Sequence, residues 1–159
     1  MAVYFRRLID DRLDARQPRL AAIALQGPKG VGKTATATRR ARTVLPLQFA
    51  DVRERFAADP TILTTADAPV LIDEWQRWPE SWDRVRTAVD DGLARGQVIL
   101  AGSSAPRGAT IRSGAGRIVP FRMRPLSLAE RGIETPTTSL AALLDGERPE
   151  VAGATGVAL

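Results

Sequence analysis

Three apolar runs punctuate the chain: Leu20-Ala21-Ala22-Ile23-Ala24-Leu25, Val70-Leu71-Ile72 and Gln97-Val98-Ile99-Leu100-Ala101. None alternates with polar residues, so each predicts a strand buried on both faces, as in a parallel sheet. A fourth stretch, 117–123, does alternate but carries Pro120. Proline cannot donate to a ladder, so an edge strand is expected there. Leu47-Gln48-Phe49-Ala50 is expected to be a further short strand.

Between these runs the spacing turns helical. Phe5, Leu8, Ile9 and Leu13 predict an amphipathic helix over 3–15, broken at Pro18. A helix is expected over 34–44, ending by Pro46, because the residue before a proline avoids the α region. Another covers 52–58, stopped by Asp59-Pro60, and 61–69 reads as helical in part. Trp82, Val85, Ala88 and Val89 give a striped helix over 81–94, closed by Gly96. Ser127 and Glu130 match a capping box, and a last short helix is expected near 139–144. Strands alternating with helices in this way predict an α/β fold.

Composition narrows the chemistry. The 159 residues suffice for one domain, with 44% hydrophobic and 26% charged residues, as in soluble globular proteins. With no cysteine and no histidine, disulfides, thiolate metal sites and imidazole catalysis are excluded. No apolar run approaches the roughly 20 residues that cross a bilayer, and the first ten residues lack the apolar core of a signal peptide. A cytoplasmic, membrane-free protein is expected. The net charge of +5 raises nucleic acid as a partner. Its 21 arginines are spread along the chain rather than blocked together, which weakens that reading. The two lysines, Lys29 and Lys33, fall within eight residues of sequence that carry the clearest motif.

That motif is Gly27-Pro28-Lys29-Gly30-Val31-Gly32-Lys33-Thr34, which fits G-x-x-x-x-G-K-[ST] and stands between a strand and a helix. Its glycines let the backbone curl so that N–H groups point at a phosphate chain, with the helix N-terminus behind them. Residues 27–35, through Ala35, are therefore the expected nucleotide-binding set. Lys33 supplies a charge for the β- and γ-phosphates, and the Thr34 hydroxyl a ligand for Mg²⁺.

The strand 70–72 runs into Asp73-Glu74, which places two carboxylates at the edge where α/β sheets bind ligands. Asp73 is expected to share Mg²⁺ with Thr34, and Glu74 to orient and deprotonate an attacking water. Ser103 and Ser104, at the tip of the strand 97–101, are candidates to sense the γ-phosphate or hold that water, against an ordinary Gly-Ser turn. Three groups keep two readings each. Trp75, Trp78 and Trp82 stack on a base or bury against the sheet, burial being preferred. Arg39, Arg40 and Arg42 form a solvated helix end, the preferred reading, or a phosphate or partner patch. The first helix is a packing helix, again preferred, or lines an adenine pocket. Residues 105–116, rich in Gly, Ser and Pro, read as a mobile loop.

Taken together, the loop, Asp73-Glu74-Trp75-Gln76 with Pro79 close behind, Ala101-Gly102-Ser103-Ser104, the Ser113-to-Arg117 element and Met123-Arg124-Pro125-Leu126-Ser127-Leu128-Ala129-Glu130 resemble an AAA-like P-loop ATPase family of bacteria and archaea. The resemblance spans about residues 4–132. It implies a P-loop NTPase-type parallel sheet flanked by helices, with strand order 5-1-4-3-2, and ATP with Mg²⁺ as ligands. It implies an ATPase core over 1–132, a partly ordered tail over 133–159, and a helical lid and C-terminal domain that this chain lacks. Arginines acting on the γ-phosphate come from lids or neighbours in AAA-like proteins; Arg112 or Arg117 is the candidate to serve in trans here. The expected activity is ATP hydrolysis, slow without a lid. A nucleotide-gated module that binds a protein partner or a second copy is the alternative, and a small-molecule kinase is the second alternative. Glu74 argues against the kinase.

Overall fold

The computed structural model describes residues 4–103, 114–133 and 138–148. The chain divides into two compact units: Ile9–Pro125, and a smaller one combining Met1–Leu8 with Leu126–Leu159. In the larger unit, α1 (Leu8–Arg16) and a 3-10 turn (Gln17–Arg19) lead into β1 (Ala22–Gln26). There follow α2 (Lys33–Thr38), β2 (Thr43–Pro46), α3 (Ala50–Ala58), α4 (Ile62–Thr65), β3 (Val70–Asp73), a 3-10 turn (Trp75–Arg77), α5 (Glu80–Asp90), β4 (Val98–Gly102) and β5 (Ile118–Arg122). All four strand pairings are parallel and give the order β2-β3-β4-β1-β5. That is the expected order, read from the other edge.

The sheet explains why its central strands lack alternation. Odd and even residues bury on opposite faces. Ala22, Ala24, Val70, Ile72, Val98 and Leu100 pack with Val52 and Phe56 of α3, Leu63 of α4, and Trp82 and Val85 of α5. Ile23, Leu25, Leu71, Ile99 and Ala101 pack with Leu13 of α1, Ala37 of α2, Val31, Phe121 and Met123. Two apolar layers thus sandwich one sheet, the three-layer solution of doubly wound proteins. Both edge strands carry a proline, Pro46 in β2 and Pro120 in β5. The three interior strands carry none, as the missing N–H requires.

Two boundaries differ from expectation. The second strand lies at Thr43–Pro46 rather than 47–50, and α2 stops at Thr38 rather than near 44. The run Val44-Leu45-Pro46-Leu47 is apolar throughout, so periodicity alone could not set the register. The β-branched Thr43 and Val44 suit a strand better than a helix end. Main-chain bonds settle it: Arg42 N donates to Pro69 O at 2.9 Å and Leu47 N to Asp73 O at 2.9 Å, which ties this segment alongside β3. Phe49 is 53% exposed and precedes α3. The first helix also starts late, at Leu8, so Phe5 and Leu8 are exposed and only Leu13 of the expected stripe is fully buried.

In the smaller unit, α6 (Leu140–Leu144) is capped by the Ser139 hydroxyl, which accepts from Ala142 N. The expected capping box is present as a turn. Ser127 N donates to Glu130 Oε2 at 2.7 Å, and Glu130 N donates back to Ser127 Oγ at 3.2 Å.

Candidate functional site

At the C-terminal end of β1 the chain enters Gly27–Gly32, and α2 begins with Lys33. Gly30 (φ 79°) and Gly32 (φ 98°) are left-handed, a conformation that glycine adopts without strain and that lets the loop double back into the helix. Thr36 N donates to Gly32 O at 2.9 Å, closing the first turn. At six residues α2 is shorter than expected, so the first-turn amides and the loop itself, rather than a long helix dipole, supply the positive end. The Lys33 ammonium donates to Gly27 O at 2.9 Å and to Pro28 O at 2.8 Å, and the residue is buried beneath its own loop.

A hydroxyl–carboxylate contact joins the start of α2 to β3. Thr34 Oγ1 lies 3.0 Å from Asp73 Oδ1 and 3.2 Å from Oδ2, donating to the carboxylate. Asp73 is 6% exposed. Burial raises its pKa above the ordinary carboxylate value, and the neighbouring Glu74 charge adds to this; the Thr34 hydrogen bond and Lys33 work in the opposite sense. A hydroxyl and a carboxylate side by side are hard oxygen donors of the type that suits Mg²⁺. Among the described residues no group of three or more acidic residues could hold a metal ion.

Glu74 is the non-glycine residue with positive φ, at 55°, among the described residues. This left-handed step reverses the chain straight after the strand. It starts the tight turn in which Arg77 N donates to Glu74 O at 2.8 Å and Trp78 N to Trp75 O at 3.0 Å. Trp75 anchors the turn: it is 1% exposed and its ring packs, tilted by 43°, against Trp82 of α5 with centroids 4.9 Å apart. The neighbouring Gln76 donates through Nε2 to Glu74 Oε2. Strand β4 must come close here, and Gly102 allows it. A Cβ at that position would sit 2.2 Å from Gln76 Oε1 and 2.7 Å from Trp75 Cδ1.

Lys29, Gly30, Gly32, Lys33, Thr34, Ala35, Glu74 and Ser103 surround a cavity of about 640 Å³, with Gln76 and Arg77 completing its wall. Eight residues expected at the site are thereby brought together. Ser103 also faces a smaller cavity of about 250 Å³ that includes Gly27, Pro28 and Arg122. A larger cavity, about 820 Å³, is lined by residues of α4 and α5 and by Gly92, Leu93 and Ala94. It contains neither the loop nor Asp73 and Glu74.

Other expected residues fall elsewhere. Asp73 reaches this site through Thr34. Val31 turns its side chain into the core beside Ile23, Leu25 and Ala37, leaving only its backbone to the loop. Ser104 and Arg112 lie outside the described residues, as does most of the loop expected over 105–116. Arg117 is engaged by Asp90 and by Ala115 O, away from the cavity. No residue of α1 lines the loop cavity. Trp75 and Trp82 are buried, as preferred, and Trp78 packs edge-on against Phe56 at 5.4 Å. Arg40 departs from the solvated reading: it is 12% exposed and ion-paired to Asp10 at 2.8 Å and Asp14 at 2.6 Å, tying α2 to α1. Sequence reasoning gave no site role to Gln76 and Arg77. The signal was two polar residues directly beyond an acid-tipped strand.

No curated protein matches the chain. The family model described as an AAA domain matches residues 20–131, which contain the loop, Asp73, Glu74 and all five strands. The chain therefore belongs to the AAA domain family and is a nucleotide-binding P-loop module.

Proposed function

We propose that the chain binds ATP with Mg²⁺ and hydrolyses its β–γ phosphoanhydride bond. The observation that carries this is the Thr34–Asp73 hydrogen bond, which joins the phosphate loop to the acid-tipped strand at one cavity. The loop amides and Lys33 would hold the β- and γ-phosphates. Thr34 and Asp73 would hold Mg²⁺, which when bound draws charge from the phosphate oxygens. Glu74, half-buried and hydrogen-bonded by Gln76, would accept a proton from a water facing the γ-phosphorus. Ser103 lines the same cavity and would hydrogen-bond that water or the γ-phosphate. Phosphoryl transfer asks for this kind of positioning more than for covalent chemistry. Adenine as the base, a functional core reaching residue 132, and the cytoplasm as the setting belong to the same proposal.

The test is Mg²⁺-dependent binding and turnover of labelled ATP by the parent, Lys33→Ala and Glu74→Gln. The expected pattern is turnover by the parent, loss of binding in Lys33→Ala, and binding without turnover in Glu74→Gln. A parent that binds ATP without releasing phosphate would replace hydrolysis by nucleotide-gated association. Transfer of the phosphate to a metabolite would make it a kinase.

A further inference from the structure

Several arginines among the described residues are committed to partners. Arg40 serves Asp10 and Asp14, Arg53 caps Leu47 O, Arg84 covers the Trp78 ring, and Arg86 and Arg117 converge on Asp90. Arg77 differs. It is exposed, makes no ion pair or side-chain hydrogen bond among the described residues, and lines the cavity that holds Lys33, Thr34 and Glu74, whereas Arg122 lines the smaller one beside Gly27 and Pro28. Its backbone is well fixed. Its N–H is bonded to Glu74 O, and the turn that carries it is pinned by the buried Trp75. An uncommitted guanidinium carried on a fixed turn, three residues beyond the candidate base, is a cation in the lining of a site meant for anions.

We propose that Arg77 is the arginine that neutralises the γ-phosphate during hydrolysis, supplied within the same chain; this rests on the ATPase reading above. In that step the water oxygen bonds to the γ-phosphorus and its proton passes to Glu74. The bond from the γ-phosphorus to the bridging oxygen breaks, and its electron pair leaves with ADP. The planar guanidinium presents paired N–H groups to the equatorial oxygens, where charge is redistributed. Lysine would provide charge but not that fork. Arg117, weighed from the sequence for this role, is held by Asp90 instead.

The experiment is single-turnover hydrolysis of labelled ATP by the full chain, comparing the parent with Arg77→Ala and Arg77→Lys. ATP affinity, thermal unfolding and retention of ADP with aluminium fluoride are measured alongside. Arg77→Ala is expected to unfold with the parent, bind ATP within about threefold, and lose about 10²-fold or more in the hydrolysis rate constant. It should fail to trap ADP–aluminium fluoride while still binding ADP, and Arg77→Lys should recover only part of the rate. A rate constant within about threefold of the parent overturns the proposal, as does a loss of affinity that accounts for the whole loss of rate. A parent that binds ATP but never cleaves it overturns this proposal while leaving the nucleotide site intact. A parent that does not bind ATP overturns both.

Discussion

Gln76 Nε2 donates to Glu74 Oε2 across the left-handed step that ends β3, while Oε1 of the same amide is buried beside Gly102. One amide therefore spans the candidate base and the tip of β4. With Gln76→Ala the carboxylate loses its only side-chain partner among the described residues and samples more rotamers. The rate of phosphate release is expected to fall about tenfold with ATP affinity unchanged. Gln76→Glu should cost more, because it sets a like charge against Glu74. Steady-state phosphate release beside a binding titration separates the two effects.

Gly102→Ala tests the same junction from the strand side. The new methyl would meet Gln76 Oε1 and the Trp75 indole well inside contact distance, at 2.2 Å and 2.7 Å. Overpacking of this kind costs about 1–3 kcal/mol. Thermal unfolding should show the loss. Turnover should fall further than stability explains, because the atom first displaced belongs to the amide that holds Glu74.

Thr34→Val keeps the volume of the side chain and removes the donor to Asp73. The expected outcome is a loss of roughly tenfold in the advantage that Mg²⁺ gives ATP binding, with binding in a chelator little changed. Thr34→Ser should restore it. If Thr34→Val binds Mg²⁺ and ATP like the parent, the metal assignment fails.

Glu130 makes a pH prediction in the smaller unit. Burial by itself would raise its pKa. The amides of Ser127 and Leu8, each at 2.7 Å, the Arg7 guanidinium at 3.0 Å and the Ser127 hydroxyl outweigh it, and the value falls from 4.5 to about 2. A carboxylate whose folded pKa is lowered contributes stability that is complete above its unfolded value and lost as pH falls towards the folded one. The window is therefore about pH 4.5 down to about 2. The contribution is on the order of 2 kcal/mol after allowing for solvent screening. Denaturant titrations of parent and Glu130→Gln should differ at neutral pH and converge across that window; parallel curves would refute it.

The parts legible in the sequence were those that local pattern determines. Buried parallel strands need unbroken apolar runs, and a phosphate loop needs its glycines and lysine in fixed spacing. β1, β3 and β4 were accordingly found within two residues of their ends, and Pro120 marked its strand as an edge. What failed had no local signature. The run from Val44 to Leu47 is apolar in every register, and only the bonds of this segment to Pro69 and Asp73 select one. Arg40 reads as a helix-end cation until α1 brings Asp10 and Asp14 to it. The clustering of Gln76 and Arg77 around the cavity depends on the positive φ of Glu74, which no propensity of glutamate foretells.

The prolines at Pro46 and Pro120 also limit how the protein can associate. Each outermost strand presents a main chain with a missing donor, so neither side of the sheet is a template for continuous strand addition by another chain. The sheet is closed to growth in its own plane. Partners, including further copies, are left with the helical layers and with the rim where the loop and the β3 acids emerge. Association at that rim would place a neighbour directly over the nucleotide, so that occupancy of the cavity and occupancy of the interface would become one equilibrium.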